Sequence, residues 1–289
     1  MIEYDAHRWR DHFLDLRGSM VRDILYRIFS CVLFAIVVTF IDRWYHPIGI
    51  SERAHTMIGV ALGLLLVFRT NAAYDRFWEG RKLWGSIVNA SRNLARASVT
   101  LLAAHPALLR GLIRHLAAFP YAAMQRLRGV HDLGACNGTL GQGEATLRAA
   151  QHVPLALALR ISAYLKEARD LGALGEYQHM VLDQNVEELV DLIGACERIN
   201  NTPIPFAYVV HLRRALILYC ATMPLALLPT FGWGTIPATL VLAYILFGIE
   251  EIGVEISDPF GTDDNDLPLE DICKNIQQNL MALIPADPA

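Results

Sequence analysis

Residues 215–249 read ALILYCATMPLALLPTFGWGTIPATLVLAYILFGI, and this run contains no Asp, Glu, Lys or Arg over 35 consecutive positions. A helix needs about 20 mostly apolar residues to cross the hydrocarbon core of a bilayer, which is about 30 Å thick. The run is long enough for two crossings, and the Pro and Gly residues between 229 and 237 favour a tight turn at its centre. It therefore predicts an integral membrane protein with helical spans near 212–230 and 236–253.

Two shorter apolar segments precede this run. Residues 28–41 predict a first span, and residues 56–68 (TMIGVALGLLLVF) predict a second, unusually short one. Arginine and lysine residues cluster before the first span and after the second, and such clusters are typical of the cytoplasmic side of a membrane. Four spans with both termini in the cytoplasm satisfy this charge distribution.

The rest of the chain is expected to lie in water. The protein is 54% hydrophobic but also 19% charged, with a mean hydropathy of +0.31, which indicates a membrane part and a soluble part. Apolar residues between the second and third spans recur at helical spacing, and strand-like alternation is scarce. The fold class is therefore predicted to be all-α, with cytoplasmic helices near 71–100, 107–128, 144–172 and 178–199.

Composition also excludes several classes of function. The net charge is −4 and no dense block of Lys and Arg occurs, so nucleic-acid binding is not indicated. The five cysteines include no closely spaced pair, which argues against a disulfide framework or a cysteine-rich zinc site. No hydrolase, kinase or zinc-protease motif is present, so an enzyme is not predicted.

Three motifs carry a resemblance to a known family. They are FRTNAAYDRFWEGRKLWG at 68–85, IPFAY at 204–208 and SDPFGTDDND at 257–266. In this order, and with these spans, the chain resembles the bestrophin family of ion channels in its bacterial form. The resemblance implies a homopentamer around a central pore, in the inner (plasma) membrane of a bacterium. It also implies passive conduction of monovalent ions, which are chloride and other anions in animal members and can be cations in bacterial ones.

The resemblance and the hydropathy pattern together divide the chain into five parts. These are a cytoplasmic N-terminal segment (1–23), the first two spans with the pore neck (24–70), a helical cytoplasmic domain (71–211), the last two spans (212–253) and a cytoplasmic C-terminal segment with an acidic cluster (254–289).

Val60, Leu64 and Phe68 recur at spacings of four and therefore lie along one stripe of the second span. On periodicity alone this stripe is typical of a packed membrane helix, and Gly59 and Gly63 beside it would permit close helix contact. The resemblance implies instead that the three residues line a hydrophobic neck of the pore.

The family also has a second constriction at its cytoplasmic exit. Counting from Cys196 places the constriction at Leu189, with Ile193 and Ile199 as alternatives. Nearby acids at 183, 187, 188 and 191 predict either a solvated helix face or a region that attracts cations.

The acidic motif at 257–266 matches the segment that binds calcium in animal members of the family. Asp258, Asp263 and Asp266 are the candidate ligands, since calcium prefers six to eight oxygens. Thr262 and Asn265 stand where animal members usually carry acids. The sequence therefore predicts a structural role for the cluster, and calcium binding is the alternative.

The predicted function is that of an ion channel without an obligatory cofactor. Its expected partners are further copies of the same chain, the lipid bilayer and monovalent ions. The alternative is a membrane-anchored structural or signalling protein whose helical cytoplasmic domain binds a partner.

Overall fold

The computed structural model describes residues 20–130, 136, 140 and 144–284 of the chain. Every regular element in this part of the chain is helical, which confirms the predicted all-α class. The described residues form two compact units. Unit 1 comprises 20–77, 203–259 and 263–266, and unit 2 comprises the described residues of 78–202, together with 260–262 and 267–284.

The helices differ in places from the predicted ones. The second span and the predicted cytoplasmic helix after it form one continuous helix of 50 residues, as expected. The predicted helix at 144–172 is instead two helices, and the helix that contains the predicted third span begins at Phe206. The helices are α1 (Val21–Trp44), α2 (Glu52–Leu101), α3 (Pro106–Leu127), α4 (Glu144–Arg148), α5 (Val153–Asp170), α6 (Glu176–Asn201), α7 (Phe206–Phe231), α8 (Thr235–Glu255) and α9 (Leu269–Met281).

Three helical stretches of the described chain are long and apolar enough to cross a membrane. They are α1, α2 and the stretch Phe206–Glu255. The last is broken by a short 3₁₀ turn at Gly232–Gly234, where Gly232 has a φ of +52° that disfavours any residue with a β-carbon. The turn separates α7 from α8, which have 26 and 21 residues, so each is long enough for one crossing. This gives the predicted four-span arrangement.

In unit 1, α8 runs antiparallel to both α1 and α7. Near the start of α7, Arg213 pairs with Glu250 near the end of α8. Near the start of α1, Arg27 pairs with Glu251 in the same turn of α8. Their shared core is apolar and is formed by Ile24, Ile28, Leu62, Leu66, Leu212, Leu216, Cys220, Ala243 and Phe247.

The two ends of this bundle differ in chemistry. At one end the side chains of Phe40 and Trp44 stack with ring centroids 4.6 Å apart, and the Trp233 ring meets both edge-on. At the other end lie Arg27 and its glutamate partners. At about 1.5 Å per residue, Arg27 and Trp44 are about 26 Å apart along α1. The separation is close to the thickness of a hydrocarbon core.

Unit 2 is organised around α3, which packs against α5, α6 and α9. Its core includes large side chains with no exposed surface, among them Trp84, Phe119 and Leu116. Local signals set where its helices begin. The His152 ring accepts a hydrogen bond from the Leu155 N–H at the start of α5, and the Gln178 side chain accepts one from the Gly175 N–H at the start of α6.

Candidate functional site

The predicted neck residues lie on an exposed face of α2. Val60 is 73% exposed, and Leu64 and Phe68 are each 56% exposed. Leu62 and Leu66, on the opposite face of the same helix, are buried in the core of unit 1. The stripe therefore has an apolar surface that its own subunit leaves uncovered. That these residues line a pore stays a prediction.

Contacts with α7 fix the rotation of α2 about its axis. The Tyr208 hydroxyl donates a hydrogen bond to the Leu65 carbonyl, 3.0 Å away, between two residues of the stripe. At the other end of the segment, His55 Nε2 lies 3.1 Å from Thr222 Oγ1. These contacts hold the buried face of α2 inward, and the stripe consequently faces outward. Tyr208 belongs to the IPFAY motif. The sequence did not predict that this motif orients α2.

The two glycines beside the stripe have different surroundings. A β-carbon at Gly59 would lie 2.5 Å from the Tyr219 hydroxyl oxygen, so α2 and α7 approach each other closely there. A β-carbon at Gly63 would meet nothing within 4 Å in this subunit. Close helix contact within the subunit therefore depends on Gly59 and leaves Gly63 open.

An ion-pair network near the end of α8 was not predicted from the sequence. Glu250 is only 2% exposed, and its Oε1 accepts a hydrogen bond from Arg213 Nε at 2.8 Å. Arg27 Nη1 lies 2.7 Å from Glu251 Oε2 and 3.6 Å from Glu250 Oε2. The network joins α1, α7 and α8. Buried charges in proteins are stable only when they are paired, and Arg213 and Arg27 supply the partners of Glu250.

The predicted aperture residue lies in the interior of unit 2. Leu189 has no exposed surface, and the alternatives Ile193 and Ile199 are also buried. A side chain enclosed by its own subunit cannot line a passage. The structure thus argues against Leu189 as the aperture residue, because the count from Cys196 placed it on the face of α6 that packs against the core.

The exposed face of α6 carries a different set of residues. Its first turns expose Tyr177, Met180 and Val181, with Met180 half-exposed. Apolar side chains that water reaches in the isolated subunit are the residues available to form a constriction in an assembly. Met180 and its two neighbours therefore replace Leu189 as the candidates for the aperture.

The acidic residues of α6 differ in their exposure and in their hydrogen-bond partners. Asp183 accepts a hydrogen bond from the Ser162 hydroxyl at 2.6 Å, and Glu187, Glu188 and Asp191 are exposed. Further along the helix, burial alone would raise the pKa of Glu197. Hydrogen bonds from Arg126 and His152 outweigh burial and hold that pKa below its usual value. Glu197 is thus part of an ion-pair network, whereas Glu187, Glu188 and Asp191 are accessible to solvent.

The three candidate calcium ligands of the acidic motif lie in unit 1. Asp266 is buried, and its Oδ2 accepts a hydrogen bond from the Asp263 N–H at 2.7 Å. Asp258 and Asp263 are exposed, and Arg76 donates a hydrogen bond to the neighbouring Ser257 carbonyl. Within the described residues, no three His, Cys, Asp or Glu side chains converge as a metal site would require. Calcium binding at Asp258, Asp263 and Asp266 stays a prediction.

Comparisons with known proteins extend over nearly the whole chain. A family model described as Bacterial/Fungal Bestrophin protein matches residues 1–282. A voltage-dependent anion channel-forming protein of Synechocystis sp. is 40% identical over 286 residues, covering 97% of this chain and 93% of the relative. A protein with the same descriptive name from Escherichia coli (strain K12) is 32% identical and covers 98% of this chain and 94% of its own.

A solved structure has the same architecture. The crystal structure of a bacterial bestrophin homologue from Klebsiella pneumoniae matches with a TM-score of 0.86 at 30% identity, covering 92% of this chain and 100% of that one. The family model and the relatives thus agree with the three motifs and the order of spans, and the chain belongs to the bestrophin family.

Proposed function

We propose that copies of this chain form a homopentamer that conducts monovalent ions passively through a central pore. The observation that carries the proposal is the exposed apolar stripe of Val60, Leu64 and Phe68 in a chain of the bestrophin family. Around a rotation axis, three side chains from each copy become three apolar rings. Such rings form a constriction that opens and closes to ions by wetting and dewetting. Passive conduction of this kind requires no catalytic residue and no resident cofactor.

The two ends of unit 1 support the proposed membrane orientation. The end that carries Arg27 and Arg213 lies toward the cytoplasm, as the positive-inside rule requires, with both chain termini on that side. The aromatic end, with Trp44 and Trp233, lies at the opposite interface, where such rings are enriched. The relatives named above come from bacteria, and the inner membrane is the proposed location.

Two observations point to opposite ion selectivity. The relatives from Synechocystis sp. and E. coli are named as anion channel-forming proteins. The exposed acids of α6, repeated in five copies, would attract cations instead. The sign of the conducted ion is therefore the property to measure first.

Liposomes containing the purified protein, with unequal NaCl concentrations on the two sides, test both the function and the sign. We expect a salt-dependent ion flux and a non-zero reversal potential, whose sign identifies the anion or the cation as the permeant species. Protein-free liposomes are the control. The channel proposal fails if the wild type and the Leu64→Ala/Phe68→Ala double variant are both inactive when folded and inserted.

The aperture is tested by comparing an exposed and a buried residue of α6. Replacing Met180 by Ala is expected to raise conductance, because the truncation removes apolar bulk from an exposed position. Replacing Leu189 by Ala is expected to cost about 2–5 kcal/mol of stability, since it leaves a cavity in the core. It is expected to leave the ion permeability of the folded protein unchanged. The opposite pattern, with permeability altered only by Leu189→Ala, would restore Leu189 as the aperture residue.

A further inference from the structure

Arg69 is a buried arginine whose guanidinium lacks partners. It is only 4% exposed, and within the described part of the chain neither its Nε nor its Nη1 has a hydrogen-bond partner. It directly follows Phe68 but lies on the inward face of α2, in phase with Leu62 and Leu66. A buried donor left unpaired costs about 1–3 kcal/mol, and more when it is charged. Within the described residues, no acceptor is therefore present for these two nitrogens.

The neighbouring carboxylates are already shared by other arginines. Glu250 is close enough to attract Arg69 electrostatically, but its Oε1 accepts from Arg213 at 2.8 Å. Its Oε2 lies 3.6 Å from Arg27, which also pairs with Glu251 at 2.7 Å. Three arginines thus share two glutamates. Arg69 is the one of these three arginines that has no hydrogen-bonded carboxylate among the described residues.

The side chain is held in place by packing. A β-carbon at Gly253 would lie 3.6 Å from Arg69 Cγ, so the bare backbone of α8 receives the arginine stem. Arg76 also acts on Arg69 electrostatically and adds positive charge nearby. The Arg76 Nε itself donates a hydrogen bond to the Ser257 carbonyl. The guanidinium is therefore packed against α8, where the attraction of Glu250 is opposed by the positive charges of Arg213 and Arg76.

We propose that this cluster, which we call the Arg69 cluster (Arg27, Arg69, Arg213, Glu250 and Glu251), binds a phosphate-class oxyanion through the Arg69 guanidinium. Guanidinium groups match the geometry of phosphate oxygens, and charge-assisted hydrogen bonds of this kind are stronger than neutral ones. Arg69 also stands where the apolar segment 56–68 ends, at the level expected for lipid headgroups on the positively charged side of the membrane. The same chemistry is offered by the phosphodiester of an anionic phospholipid and by free phosphate.

Two binding arms distinguish these sources, using full-length protein that has been stripped of lipid in detergent. The first arm adds phosphatidylglycerol and counts retained lipids by native mass spectrometry. The second adds inorganic phosphate and follows thermal stability. We expect wild-type protein to respond in at least one arm, and Arg69→Gln to weaken that response about tenfold or more. A response to the lipid alone assigns a headgroup site, and a response to phosphate alone assigns a soluble anion site.

The matched control is Arg22→Gln, which removes an exposed arginine of α1 outside the cluster and should leave binding unchanged. If the Arg69→Gln variant does not fold, Arg69→Lys takes its place in the binding measurements. It keeps the charge but loses the planar donor set, and we expect an intermediate loss. A wild type that binds neither probe overturns the proposal, as does a folded Arg69 variant that binds like the wild type. Neither outcome affects the channel proposal, which does not depend on this cluster.

Discussion

We expect the Phe68→Ala variant to conduct ions about tenfold faster than the wild type. The phenyl ring is exposed on the stripe of α2, where five copies would narrow the same level of the pore. Its removal widens that level and lowers the cost of keeping it hydrated. A reduction of about 1.4 kcal/mol in the barrier corresponds to the tenfold change. Single-channel conductance, or flux per inserted protein in liposomes, measures it.

Ile58→Ala is the matched control for this experiment. Ile58 is also exposed on α2, at 54%, but lies about 120° around the helix from Leu64. Its truncation removes a similar apolar volume from another face, and we expect conductance to stay at the wild-type value. Equal conductance in all three proteins would remove Phe68 from the neck. An increase in Ile58→Ala alone would place a different face of α2 toward the ions.

Replacing Glu250 by Gln is expected to lower the free energy of unfolding by about 3 kcal/mol. The substitution keeps the shape of the side chain but removes the buried charge that Arg213 and Arg27 share. Losing one partner of a buried pair leaves the other charges uncompensated in an apolar environment. Arg213 is about half-exposed, so water reduces the penalty to the lower end of the usual range. Reversible unfolding in mixed detergent micelles measures the difference.

The control variant is Glu79→Gln, which breaks an exposed pair. Glu79 lies 3.3 Å from Arg198, and both side chains are at least half-exposed. We expect the free energy of unfolding to fall by less than about 1 kcal/mol, as for other surface pairs. If both variants lose the same small amount, the Glu250 network does not stabilise the bundle.

The sequence predicted the membrane helices well because a bilayer imposes a length that composition alone reveals. The turn at 232–234 follows from its glycines, and the continuous α2 follows from unbroken helical spacing. α7 extends beyond the predicted third span to Phe206, and the sequence conceals this extension because Arg213 and Arg214 interrupt the apolar run. Arg213 is accommodated by Glu250 across the bundle, and a partner 37 positions away is not visible in local hydropathy.

The sequence indicated the stripe of α2 by two kinds of signal and the aperture by only one. The stripe of Val60, Leu64 and Phe68 combines helical phase with family motifs, and it lies on an exposed face. Leu189 was assigned to the aperture only by its distance along the chain from Cys196. Helical phase was available there too, because Leu182, Val186, Leu189, Ile193 and Cys196 repeat every three or four residues and mark the buried face of α6. This repeat places Met180 on the opposite, exposed face of α6. Arg69 gave no sequence signal, since its isolation is visible only in three dimensions.

The hydrogen bond from Tyr208 to the Leu65 carbonyl has a consequence for how such proteins diversify over evolution. The groups that set the rotation of α2 are not part of the stripe, and the stripe itself makes little contact within its subunit. Substitutions at exposed positions usually change stability by less than about 0.5 kcal/mol. Descendants of one ancestral fold are therefore free to exchange the side chains of the stripe, and with them the permeability, while the scaffold that orients them stays under separate selection.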